Sequence, residues 1–128
     1  MRYLLDTHAL LWFVAGDEQL SSPARAAIAD EHNEILVSAA SAWEIATKFR
    51  IGKIPGASLL ANNFVASVSG LGFSHLPISA AAAQQAGGWE IEHKDPFDRI
   101  LAAQSLLEQS PLISNDRGLS RFGIETFW

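Results

Sequence analysis

The 128-residue chain has no cysteine, one methionine and one tyrosine. Without cysteine, disulfides and thiolate-held metals are excluded, and a reducing compartment is compatible. Basic residues are scarce: nine Lys and Arg stand against fourteen Asp and Glu, a formal net charge of −5. Nucleic-acid binders usually carry a basic face, so this balance counts mildly against that class. It does not exclude it, because a bound metal neutralises local carboxylates and a few cations suffice if they are concentrated. No apolar run approaches the roughly 20 residues of a membrane span, so no membrane partner is expected. The start, Met1–Asp6, carries Arg2 and Asp6 and has no cleavage site, so no signal peptide is expected either, and the expected location is cytoplasmic. What is present is apolar: 48% of the residues are hydrophobic, which argues against disorder. The length fits one domain spanning residues 1–128 with a core of its own.

Arg2-Tyr3-Leu4-Leu5 is a short apolar run closed at once by Asp6, the pattern of a buried central strand. His8–Ala15 is apolar all round and reads as a helix ended by Gly16-Asp17. Ser21-Ser22-Pro23 starts a second helix, with a hydroxyl cap before proline in the first turn, running to about Glu31. Glu34–Val37 reads as a strand and about Ala39–Arg50 as a helix. A glycine- and proline-marked loop covers 51–56, then one helix Ser58–Ser69 closed by Gly70. Phe73–Leu76 is a third strand, and Ser79–Ala86 a short helix ended by Gly87-Gly88. Asp95-Pro96-Phe97-Asp98 opens a helix to about Glu108, with Asp95 as cap and Pro96 at the first position. Pro111–Ser114 is a strand, Arg117–Phe122 one or two helical turns, and Ile124–Phe127 a last strand. Strands alternating with helices predict an α/β fold: three layers, α/β/α, around a mostly parallel sheet of four to five strands.

Four acids occupy chemically informative places. Asp6 and Asp116 each follow an apolar strand, and Glu44 and Asp98 lie in the first turns of helices. In open parallel sheets, ligands bind at the carboxyl ends of the strands, where the following helices also begin. The topology therefore allows all four to converge. Clustered carboxylates raise one another's pKa, and a hard divalent cation with oxygen ligands, such as Mg²⁺, resolves the repulsion. Such an ion activates a water and stabilises charge on a phosphoryl oxygen, which suits phosphodiester cleavage.

Each acid also has a structural alternative. Asp6 reads as a cap for the helix at His8, and Asp98 as a helix-start acid on the positive end of the dipole. Glu44 reads as half of a capping box with Ser41, or as the partner of Lys48 one turn on. Asp116 reads as a turn residue capping the next short helix. The coincidence of two strand-end acids with two helix-start acids favours function.

At these residues the sequence resembles the PIN-domain family, in particular the VapC-type toxins of bacterial toxin–antitoxin pairs. The matching pieces are Leu4-Leu5-Asp6-Thr7-His8, Ser41-Ala42-Trp43-Glu44-Ile45, Asp95-Pro96-Phe97-Asp98-Arg99 with Ala102-Ala103-Gln104, and Ser114-Asn115-Asp116, in the family's order. The resemblance implies a PIN-like fold and Mg²⁺- or Mn²⁺-dependent endoribonuclease activity on RNA. It also implies neutralisation by a cognate antitoxin protein, in a homodimer or a toxin–antitoxin hetero-oligomer. It places the family's acids on Asp6, Glu44, Asp98 and Asp116. Asp6 and Asp98 are then the main metal ligands, and Glu44 and Asp116 bind directly or through water. Asp95, three residues before Asp98 on the same helix turn, reads as the helix cap and as a candidate supporting acid.

The four histidines, His8, His32, His75 and His93, show no metal-ligand spacing. Trp12, Phe13, Trp43 and Phe49 read as core, or in part as a patch for a partner helix. Lys48, Arg50, Lys53, Arg99 and Arg117 flank the acids, either as a solvated face or as a rim for RNA phosphates. Three rivals stand beside the toxin reading. One is an Asp6-nucleophile phosphatase, although His8 stands where that pattern wants a second aspartate. The others are a free-standing PIN-like nuclease and a non-catalytic PIN-like binding module.

Overall fold

The computed structural model describes residues 1–128. Five strands form one sheet: β1 (Arg2–Leu5), β2 (Glu34–Ser38), β3 (Ser74–Leu76), β4 (Leu112–Ile113) and β5 (Thr126–Phe127). Their order is β3-β2-β1-β4-β5, and every neighbouring pair is parallel. Seven helices connect them: α1 (Thr7–Ala15), α2 (Ser22–Ala29), α3 (Ala39–Arg50), α4 (Ser58–Asn62), α5 (Phe64–Gly70), α6 (Ala80–Gly88) and α7 (Pro96–Glu108). Short 3₁₀ turns cover Pro55–Ala57 and Arg117–Phe122.

The strands alternate their side chains between two cores, as a period of two requires. Tyr3, Leu5, Ile35, Val37 and Ile113 pack with Ala9 and Leu10 of α1, Ala24 and Ile28 of α2, Ile45 of α3, Leu60 and Val68 on one face. Leu4, Leu36 and Leu112 pack with Leu101 and Ala102 of α7 and with Leu119 and Phe122 on the other. The result is the expected three-layer α/β/α arrangement. Leu4 and Leu5 are fully buried on opposite faces, each stabilising the fold by roughly 1.5–3 kcal/mol.

The strand order places a switch point between β1 and β4. From β1 the chain winds outward through β2 to β3, then returns to the other side of β1 for β4 and β5. The register pairs Leu5 with Ile113, and the Asp6 N–H donates to the Ile113 carbonyl at 3.1 Å. Asp6 and Ser114 are thus the first residues beyond the two central strands. In a parallel sheet this crevice is where ligands bind.

Three local expectations need correction. The expected helix Ser58–Ser69 is two helices, broken at Asn63, whose φ of −135° leaves the helical region; the poor helix formers Asn62 and Asn63 supply the break. Gly87-Gly88 do not end α6 but form its last turn, and the helix stops at Trp89, which is extended. Ser41 does not cap α3. The chain passes straight from β2 into the helix, so Ser38 is the cap, accepting from the Ala40 N–H at 3.0 Å and donating to Gln104 Oε1 of α7. Ser41 lies one turn inside, buried, with its hydroxyl 3.0 Å from that of Thr7.

Candidate active site

Asp6 is both strand end and helix cap. It is buried, extended at φ −74° and ψ 167°, and Oδ1 accepts from the Ala9 N–H at 2.6 Å. Burial pushes its carboxyl above the ordinary carboxylate range. The Ser114 hydroxyl, the Ala9 N–H and the charge of His8 draw it back, while the charge of Asp98 pushes it further up.

Asp98 projects from the first turn of α7. Burial raises its carboxyl too, the hydrogen bond from His93 opposes that, and the charges of Asp95 and Glu44 add to it. Its Oδ2 lies 3.0 Å from His93 Nε2. Asp95 one turn earlier is spent on the helix: Oδ1 accepts from the Phe97 N–H at 2.9 Å and the Asp98 N–H at 3.3 Å.

Glu44 is buried on α3, with Oε2 2.5 Å from Lys48 Nζ one helical turn on. That pairing was one of its two structural alternatives, and it keeps a cation beside the charge. Asp116 stands apart. It is exposed, and Oδ1 accepts from the Gly118 N–H at 2.9 Å, capping the 3₁₀ turn. A Cβ at Gly118 would meet that oxygen at 3.0 Å, so any larger residue there would have to push the carboxylate aside. The Asp116 N–H donates to Ser114 Oγ at 3.0 Å, which ties Asp116 to Asp6 through a shared serine.

The fold therefore brings Asp6 and Asp98 into electrostatic reach of one another, with Glu44 and Asp95 within reach of Asp98. It does not draw three of the acids or histidines close enough to share one ion directly. Neither Asp6 nor Asp98 is ion-paired with a lysine or arginine.

Residues 3–125 match the sequence model of the PIN domain. The chain belongs to the PIN-domain family. Over 31 residues it is 61% identical to Ribonuclease VapC16 of Mycobacterium tuberculosis, a stretch covering 24% of this chain and 22% of that protein. Its fold resembles that of VapBC2 from Rickettsia felis, solved bound to a DNA fragment from their promoter. That likeness has a TM-score of 0.68 and 16% identity, and it covers 99% of this chain and 98% of that one. It also resembles FitAB, solved bound to the IR36 DNA fragment, with a TM-score of 0.61 and 20% identity over 98% of this chain and 93% of that one.

The donor set of this PIN domain fits a hard divalent cation. All the acids offer carboxylate oxygens, and Mg²⁺ usually takes one or two carboxylates and completes its shell with water. Asp6, buried, and Asp98, partly buried, with no lysine or arginine paired to either, meet that requirement.

Several residues here escaped the sequence reading. Ser114 lies two residues before the recognised Asp116, but only the β1–β4 register puts it beside Asp6. His93 and Arg121 belong to the site's surroundings, and no spacing signalled either. Arg99 must be removed from the expected RNA rim. Its guanidinium donates to four backbone carbonyls, those of Ala86, Trp89, Ile91 and His93, at 2.5–3.0 Å. Four of its five N–H donors are thereby committed to the backbone around the Trp89–Lys94 connection. Lys48 is likewise occupied by Glu44. Trp12 and Phe13 pack against the core, whereas Trp43 is 63% exposed with its ring against Phe97, centroids 4.9 Å apart.

Proposed function

We propose that this PIN domain is a Mg²⁺- or Mn²⁺-dependent endoribonuclease and the toxin of a toxin–antitoxin pair. The observation that carries the reading is Asp6 beside Asp98: two carboxyls raised by burial, at the switch point of a parallel sheet, with no lysine or arginine on either. The family membership and the short match to a ribonuclease support phosphodiester cleavage as the reaction.

Asp6 and Asp98 are the residues that would hold the ion, with Glu44 and Asp116 joining directly or through water. When bound, the ion supplies activation of a water and neutralisation of charge on the phosphate. The chain's own part is positional. The Ala9 N–H and Ser114 hold Asp6, and His93 holds Asp98. Lys48 holds Glu44 by an ion pair one helical turn on, and Asp95 anchors the turn from which Asp98 projects. Asp6 is poorly placed as a phosphatase nucleophile, since it is buried with Oδ1 committed to the helix cap.

The proposed protein partner is a cognate antitoxin, in a homodimer or a toxin–antitoxin hetero-oligomer. An apolar groove of about 430 Å³ between α1 and the Ile54–Leu60 segment, lined by Leu11, Trp12, Val14 and Leu59, offers such a partner an apolar seat. No helix is long and apolar enough to cross a membrane.

The test is cleavage of a panel of structured RNAs by purified protein, with Mg²⁺ and with chelator, for wild type and Asp6→Asn. Asn caps about as well as Asp, so the variant should fold and lose most of the rate. Cleavage by Asp6→Asn as fast as wild type refutes the mechanism. Tolerated expression of active protein alone, with no co-purifying partner, would mean a free-standing nuclease instead.

A further inference from the structure

His93 stands between two charged side chains. Its Nε2 is 3.0 Å from Asp98 Oδ2, and its Nδ1 is 3.3 Å from Arg121 Nη2. A guanidinium has donors and no acceptor. Nδ1 must therefore accept from Arg121, which leaves the ring proton on Nε2, aimed at the Asp98 carboxylate. The ring is steadied from the side by Phe122, edge to face at 5.6 Å and 73°. Arg121 is itself fixed, with Nη2 donating to the Glu92 carbonyl at 3.1 Å and Nε to the Gly118 carbonyl at 3.2 Å. One chain of contacts thus runs from the 3₁₀ turn after Asp116, through the loop before α7, to Asp98.

Asp98 has no other side-chain hydrogen bond. Its side chain is 28% exposed, so Oδ2 is taken and Oδ1 faces solvent without a protein donor. A carboxylate held by one oxygen has its plane set before anything binds to the other. The loop does not need His93 for this shape, because Arg99 already ties the carbonyls of Trp89, Ile91 and His93.

We propose that Arg121 and His93 are positioning residues that orient the Asp98 carboxylate: Arg121 fixes the His93 ring so that Nε2–H holds Oδ2, leaving Oδ1 presented to a divalent ion. The ion-binding half rests on the proposed role of Asp98. Hydrogen-bond partners of this kind typically change metal affinity or activity about 10–100-fold when removed.

Two measurements on the full chain test it. In metal-free protein, ¹⁵N NMR of the imidazoles should show His93 as the Nε2–H tautomer, and Arg121→Ala should release that preference. A wild-type His93 that carries its proton on Nδ1, or averages between tautomers, overturns the relay. In the second measurement, Mn²⁺ affinity is read by electron paramagnetic resonance of the free ion. His93→Ala should bind Mn²⁺ about 10–100-fold more weakly, while still melting cooperatively in chelator. His93→Gln, whose amide N–H reaches about the place of Nε2, should keep most of the affinity. An Ala variant as tight as wild type overturns the proposal, and so does a Gln variant as weak as the Ala variant. Wild-type protein that binds no Mn²⁺ overturns the ion reading of Asp98, while the tautomer still decides whether the relay exists.

Discussion

Arg99→Lys keeps the charge next to Asp98 and should nonetheless be among the most damaging substitutions outside the core. Arg99 donates from Nε to Ala86, from Nη1 to both Ile91 and His93, and from Nη2 to Trp89, at 2.7, 2.8, 3.0 and 2.5 Å respectively. Its Cζ also lies 5.8 Å from the Phe122 ring centroid. A hydrogen bond from a charged donor contributes about 1.5–3 kcal/mol, and the lower end applies here because Arg99 is only half-buried and water can replace it. A lysine ammonium is a point, not a fork, and can reach one or two of these carbonyls. Two or three lost bonds cost about 3–4 kcal/mol, a large part of the 5–15 kcal/mol that usually holds a domain together. For a chain of this length that lowers the melting temperature by roughly 10–15 °C. Thermal melting by circular dichroism, in chelator so that no ion contributes, reads the shift. Amide hydrogen exchange should show protection lost first in Trp89–Lys94. Arg99→Lys melting within about 2 °C of wild type would mean that the four bonds contribute nothing net, and the account of this loop would fall.

Three further outcomes follow from the same geometry. Burial holds Asp6 and Asp98 above the ordinary carboxylate range, so as pH falls from neutral towards about 4 the folded state takes up protons before the unfolded one. Metal-free wild type should therefore gain stability relative to Asp6→Asn as pH falls, and lose that gain as pH rises through the raised values; a difference in melting temperature that is flat with pH refutes this. Millimolar Mg²⁺ should raise the melting temperature of wild type by mass action and do little for Asp6→Asn or Asp98→Asn, and equal shifts in all three would place the ion elsewhere. Lys94 and Arg117 are exposed, in no ion pair, and adjacent to Asp95 and Asp116. With those two as phosphate contacts, single-stranded RNA binding should show a log–log salt slope of about −1.4, reduced by about 0.7 in Arg117→Gln, and a slope steeper than about −4 would reveal a basic face that this account lacks.

The placement of the four acids was legible because it depends on local signals. Leu4-Leu5 followed by Asp6 reads as a strand and its end, and Asp95-Pro96 marks a helix start wherever it lies. Which acids meet was not legible, because that depends on strand order and on competition between partners. Asp116 and Asp6 looked equivalent as strand-end acids, yet the turn after Asp116 takes its carboxylate outward to Gly118 while α1 keeps that of Asp6 inside. Ser41 reads as a cap three residues before Glu44, yet the cap is Ser38, because the helix begins directly at the end of β2. Arg99 looked like an RNA contact because nothing local shows a loop six to ten residues upstream whose carbonyls need donors. His93 was visible only as a histidine without a ligand pattern; its role needs Arg121, 28 residues on.

The acidity of the chain, which first counted against a nucleic-acid substrate, is explained by where the cations go. Of nine lysines and arginines, only Lys48 pairs with one of the four acids. Arg2 bridges Glu34 and Glu108, Arg25 holds the Asp17 carbonyl, and Arg99 and Arg121 hold loop carbonyls. Arg99 follows Asp98 in sequence yet turns away from it, so the fold forgoes the nearest neutralising charge. A lysine or arginine paired with Asp6 or Asp98 would occupy the oxygens that an ion needs. Leaving them unpaired destabilises the metal-free protein, a cost that the two buried cores and the Arg99 clamp offset. Under the proposed reading, one divalent ion matches the charges of Asp6 and Asp98 one for one. RNA then approaches a locally neutral site rimmed by Lys94 and Arg117, whatever the net charge of the chain.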